Sequence, residues 1–178
     1  MLTFAPLPGP GCKLGSATCV ISAFPEKIVA PGSAKNTLVL KSTPSEEFEE
    51  GIVSWPGEYN MMGVTIKGIG QKDGQQVSFV VDAEDTRVLF LSEPLEDWED
   101  HQIEAVGDVD VLVTPVTESK VLQKLIDELD PRVLVLLPSK GATESVLKTL
   151  GAQGARVSEY KMKGSLPAEG REVVVLED

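Results

Sequence analysis

Asp110-Val111-Leu112-Val113-Thr114 and, eighteen positions on, Arg132-Val133-Leu134-Val135-Leu136-Leu137 decide the fold class. Both runs are short and almost wholly apolar, the composition of strands covered on both faces. Between them, Thr117 to Leu129 carries helical spacing. Val121, Leu122, Leu125, Ile126 and Leu129 share one face, and Lys120, Gln123, Lys124, Asp127 and Glu128 the other. A second helix is predicted from Thr143 to Leu150, closed by Gly151. Strands near Arg156 to Met162 and Glu172 to Leu176 end the chain. This half alternates strand and helix.

Upstream the rhythm is β. Thr18-Cys19-Val20-Ile21, Lys27-Ile28-Val29-Ala30 and Thr37-Leu38-Val39-Leu40 are strand-like runs, with Gly9-Pro10-Gly11 and Pro31-Gly32 as turn signals. Ile52-Val53-Ser54-Trp55 reads as a further strand. Gly63 to Ile69 and Gln76 to Val81 alternate around Asp73-Gly74, a pair suited to the positive φ of a hairpin turn. Arg87 to Ser92 follows as another strand. A strand-rich half followed by βαβα predicts sheet packed on sheet, with helices outside.

Composition bounds the function. With 178 residues, 42% apolar and 25% charged, the chain suits one well-packed globular domain. No apolar run nears the ~20 residues needed to cross a bilayer, and no basic residue precedes the first apolar ones, so no membrane partner and a cytoplasmic location are expected. The formal charge is −12; residues 1–41 carry +3 and the rest −15. Such a surface repels a phosphate backbone, so nucleic acid is not an expected partner. Cys12 and Cys19 match no zinc pattern. They could face each other across a hairpin, but in a reducing compartment free, packed thiols are expected.

Leu38-Val39-Leu40-Lys41 runs into Ser42-Thr43-Pro44-Ser45-Glu46-Glu47-Phe48. The second segment reads as a short helix start: a hydroxyl cap, an early proline and two glutamates in the first turn. Farther on, Trp55-Pro56-Gly57-Glu58-Tyr59 precedes Gly63-Val64, and Gly107-Asp108-Val109-Asp110-Val111-Leu112 precedes Pro115-Val116. Asp130-Pro131-Arg132-Val133, Leu166-Pro167 and Val173-Val174-Val175-Leu176 complete an ordered set over residues 36–178.

This set resembles the metallo-β-lactamase superfamily, in particular its small bacterial zinc-dependent hydrolases. The resemblance implies an α/β (α+β) chain, a metallo-β-lactamase-like αββα sandwich with the N-terminal sheet reduced. It implies one domain over residues 1–178, with a mostly β half (1–92) and a βαβα half (93–178). It also implies a zinc site built on a His-x-His-x-Asp-His turn after a buried strand. Laid onto this sequence, the four ligand positions become Thr43, Ser45, Glu47 and Phe48, the later aspartate becomes Glu93, and the last histidine falls near Pro138.

Zinc of this kind wants imidazole nitrogen at ~2.0–2.1 Å, and none of these positions supplies it. Glu47 and Glu93 are the remaining candidate metal ligands; a carboxylate pair suits a hard cation, held weakly. Without zinc, no bound water of near-neutral pKa is generated. Thr43, Ser42 and Ser45 have no histidine to activate them, since His101 is the single histidine and lies in an acidic stretch. Glu58 and Tyr59 are expected to be structural, with Pro56-Gly57 fixing a turn before a strand and Tyr59 packing over it. The expectation is therefore a binding or structural module with no catalytic residues and no cofactor, able to form a homodimer. The alternative is a metal-dependent hydrolase that uses a carboxylate site or ligands from a second subunit.

Overall fold

The computed structural model describes residues 1–28, 35–117, 120–139 and 142–177. The chain opens with β1 (Thr3–Pro6), β2 (Cys12–Gly15), β3 (Val20–Ala23), β4 (Thr37–Leu40) and β5 (Ile52–Val53). It continues through β6 (Gly57–Met61), β7 (Val64–Gln71), β8 (Gln76–Ala83) and β9 (Thr86–Phe90). The second half is α1 (Asp100–Val106), β10 (Val111–Val116), α2 (Lys120–Leu129), β11 (Val133–Pro138), α3 (Glu144–Thr149), β12 (Tyr160–Lys161) and β13 (Glu172–Val175).

Among the described residues these strands form two sheets, ordered β12-β1-β2-β3-β4-β5 and β13-β11-β10-β9-β8-β7-β6. Their facing sides share one core, to which the first sheet gives Phe4, Leu14, Ile21, Leu38 and Leu40. The second sheet gives alternate residues to each side. Val81, Val88, Val111, Val113, Val133 and Val135 point between the sheets, while Val80, Leu89, Leu112, Leu134 and Leu136 join a second core. That second core also takes Val106, Leu122, Leu125, Ile126 and Leu147 from the helices. The described helices thus cover the outer face of the second sheet.

The second half follows its pattern. α2 buries Leu122, Leu125, Ile126 and Leu129, as the spacing requires. Thr143 caps α3 by accepting a hydrogen bond from the Val146 N–H, and Gly151, at φ +93°, follows its last turn. Pro115 is tolerated within β10 because β9 has ended beside it. The Leu91 N–H reaches Val113 O, and the proline falls beyond that pairing, so no ladder bond is lost. The β7–β8 hairpin turns on Lys72, Asp73 and Gly74, all with positive φ. Cys12 and Cys19 are free and buried.

Other elements differ from expectation. No helix starts at Ser42; residues 41–50 are irregular, for reasons found at the site below. Lys27 and Ile28 are not in a strand, and the rest of that run, Val29 and Ala30, lies outside the described residues, as do Pro31 and Gly32. The strand at Ile52 stops at Val53 because the chain crosses there from the first sheet to the second. β1 and β2 were not expected. Each is only four residues long, β1 ending on Pro6 and β2 on Gly15, so they are set by pairing with each other and with β3 rather than by pattern. β6 pairs with β7 around Met62-Gly63, both at positive φ.

Candidate functional site

β9, β10, β11 and β13 run parallel, so the carboxyl ends of β9, β10 and β11 share one rim of the sandwich. β8 runs antiparallel to β9, which brings its first residue, Gln76, to the same rim. The chain leaving β4 is tied there too, because the Val77 N–H donates to Ser42 O at 2.8 Å. At such a rim loops converge and backbone pairing ends, leaving room for a ligand site.

Beneath the rim lies a polar cluster that the sequence did not announce. Gln71, Gln76, Ser78 and Ser92 are all buried. Gln76 Nε2 donates to Ser92 Oγ at 2.8 Å and to Pro94 O at 3.0 Å. Ser78 Oγ donates to Gln71 Oε1 at 2.6 Å and accepts from the Ser92 N–H at 3.0 Å. These bonds fasten the end of β9, and the segment carrying Glu93, to the β7–β8 hairpin. Glutamine and serine at hairpin ends ordinarily face water, so only their burial distinguishes them.

The positions expected to form the site are dispersed above this cluster. Thr43 is exposed and lines a cleft with Pro10, Phe24 and Glu26. Ser45, Glu47 and Phe48 line a different cleft, of about 170 Å³, with Ile52, Trp55 and Tyr59. Glu93 is exposed at the head of its segment, and Pro138, half-buried, closes β11; neither lines either cleft. Among the described residues no group of three or more His, Cys, Asp or Glu stands close enough to hold a metal ion. The hydroxyls and scattered carboxylates present do not fit zinc. His101 sits exposed on α1, its Nδ1 3.2 Å from Glu99, away from all of these positions.

The irregular path of residues 41–50 has a local cause. A helix from Ser42 would need Ser42 O and Ser45 O as acceptors for its own turns. Ser42 O is taken by Val77, and Ser45 O accepts from Trp55 Nε1 at 2.8 Å. The Ser45 N–H donates to Ser54 Oγ at 3.1 Å, and Tyr59 OH donates to Trp55 O at 2.9 Å. Burial raises the Tyr59 phenol above its ordinary range. Gly68 makes this packing possible: a Cβ there would sit 2.7 Å from Trp55 O. Phe48 is left 91% exposed and Trp55 51% exposed, side by side on the second cleft. Glu58 and Tyr59 lie in β6, and the Tyr59 ring stands over Gly57 while its hydroxyl holds Trp55.

The beta-lactamase superfamily domain matches residues 30–137. Among solved structures, a Thermotoga maritima protein described as an inferred Zn-dependent hydrolase of the metallo-beta-lactamase superfamily superposes with a TM-score of 0.78 at 22% identity. That match covers 99% of this chain and 98% of the other. The metallo-beta-lactamase fold protein YhfI from Bacillus subtilis superposes at 0.60 with 9% identity, over 99% of this chain and 97% of its own. A Parabacteroides distasonis protein described as an inferred metal-dependent hydrolase gives 0.59 at 12% identity, over 99% and 94%. At these identities the likeness is one of fold. No curated protein matches the sequence. The chain belongs to the beta-lactamase superfamily and has its metallo-β-lactamase-like sandwich fold.

Proposed function

We propose that this chain is a non-catalytic binding or structural module, a metallo-β-lactamase-fold protein that has lost the histidine ligands of its family. One observation carries the reading. The four positions laid onto the family's ligand turn are Thr43, Ser45, Glu47 and Phe48, and the most zinc-averse of them, Phe48, stands 91% exposed to solvent. Thr43 opens on a separate cleft, so even the oxygen donors do not converge. Hydrolysis in this fold would need a metal-activated water, which these residues are not built to supply.

The rim that a substrate would occupy then becomes a surface for partners. Self-association is expected through another face, because two copies of this acidic rim would repel each other. The outer face of the first sheet, where Val20 is 38% exposed, is the better candidate, and sedimentation velocity measures the outcome.

Elemental analysis of protein purified without chelator tests the central reading. Substoichiometric zinc, manganese and iron, with no turnover of phosphodiester, lactone or β-lactam substrates, is the expected result. One bound transition-metal ion per chain with turnover would replace the module by the alternative, a hydrolase using Glu47 and Glu93 or ligands from a second subunit.

A further inference from the structure

We infer that the Phe48–Trp55–Tyr59 cleft docks a peptide segment of a partner protein, one that carries an apolar side chain flanked by lysine or arginine. This rests on the reading of the rim as a partner surface and names the partner's chemistry. The sequence Glu46-Glu47-Phe48-Glu49-Glu50 puts a phenylalanine between two pairs of carboxylates, and all five residues are exposed. Exposing so large an apolar side chain gains nothing for folding, whereas aromatic anchors inside a charged rim are the usual content of binding hot spots.

The cleft is already rigid. Trp55 is held through Ser45 O and Tyr59 OH, and the Ile52 N–H closes the loop onto Glu49 O at 3.1 Å. A partner would therefore meet a preorganised surface and lose little entropy in ordering it. Size decides between classes of ligand. At about 170 Å³ the cleft is smaller than the ~300–1,000 Å³ of small-molecule pockets, and it suits one side chain of a larger partner.

Charge decides the rest. Glu46, Glu47, Glu49 and Glu50 favour a cationic flank and steer it in, and the Trp55 and Tyr59 rings can also receive an ammonium or guanidinium group. The same four carboxylates oppose a second copy seated face to face, and they oppose nucleic acid.

The test uses a short peptide with a central leucine between paired lysines in a Gly-Ser frame. Binding is followed by the indole N–H signal of Trp55 in the full chain. Two control peptides replace the lysines by glutamate or the leucine by serine. Phe48→Ser, and a variant with Glu46, Glu47, Glu49 and Glu50 all changed to Gln, complete the set. Saturable binding is expected, weakened at least about tenfold by either variant and by either control peptide. Unchanged binding to Phe48→Ser, preference for the glutamate peptide, no binding at millimolar peptide, or a homodimer that Phe48→Ser dissociates would each overturn the inference. Failure here with metal-free protein leaves the non-catalytic reading standing; stoichiometric zinc sinks that reading whatever the peptide does.

Discussion

The interior of the second sheet and the loop that follows β4 answer to different forces. In β10 and β11 nearly every side chain is buried: Val111, Val113, Val133, Val135 and Leu137 face the other sheet, and Leu112, Val116, Leu134 and Leu136 face the helices. In residues 46–50 every side chain is exposed, and the path into them is held by Ser42 O accepting from the Val77 N–H and Ser45 O accepting from the Trp55 indole. Packing specifies the first region and polar tethering the second. The interior is therefore costly to alter, whereas the rim can change its residues at little cost in stability.

The largest expected effect probes the interior. Leu125, 1% exposed on the inner face of α2, should cost about 2–5 kcal/mol on change to alanine, read from urea denaturation. A loss near zero would mean that the helix layer does not depend on that packing. The boundary between the regions should respond less. Gln76→Ala leaves Ser92 Oγ and Pro94 O without their donor and should cost about 1–3 kcal/mol, with loosening confined to the segment around Glu93 as seen by amide exchange.

The inter-sheet core can also be probed by pH. Burial raises the Cys12 thiol from 9.0 to about 12, so the folded state keeps a proton that the unfolded chain releases. The stability from this neutral thiol is fully present below pH 9 and is lost as pH rises toward about 12. Its contribution to the slope is at most about 1.4 kcal/mol per pH unit. The Tyr59 and Tyr160 phenols, also raised by burial, act in the same direction. Cys12→Ala should flatten the alkaline slope without abolishing it; an unchanged slope would assign the effect to the tyrosines.

The smallest effect belongs to the rim. Glu47→Ala and Glu93→Ala, both exposed, should each shift stability by less than about 0.5 kcal/mol in thermal melts. Should either prove worse than Leu125→Ala, the contrast between interior and rim would collapse.

Legibility followed the same division. The two apolar runs at 110–114 and 132–137, the spacing of α2 and the Asp73-Gly74 turn were readable because a strand buried on both faces, a helix buried on one and a positive φ each restrict residue choice locally. β6 was not readable: Gly57-Glu58-Tyr59-Asn60-Met61 has little strand character and is recruited by β7. The buried Gln71, Gln76, Ser78 and Ser92 cluster left no signal either, since a polar residue at a hairpin end is ordinary until its surroundings are known.

By itself, the sequence determined the two-sheet architecture and the lack of histidine at the positions that resemble a ligand turn, because periodicity and donor chemistry are properties of the residues. Only the tertiary structure decided that Ser42 to Glu50 is no helix and that Phe48 and Trp55 stand exposed together. The reason is that Val77 and Trp55, distant in sequence, claim the carbonyls that a helix would have used.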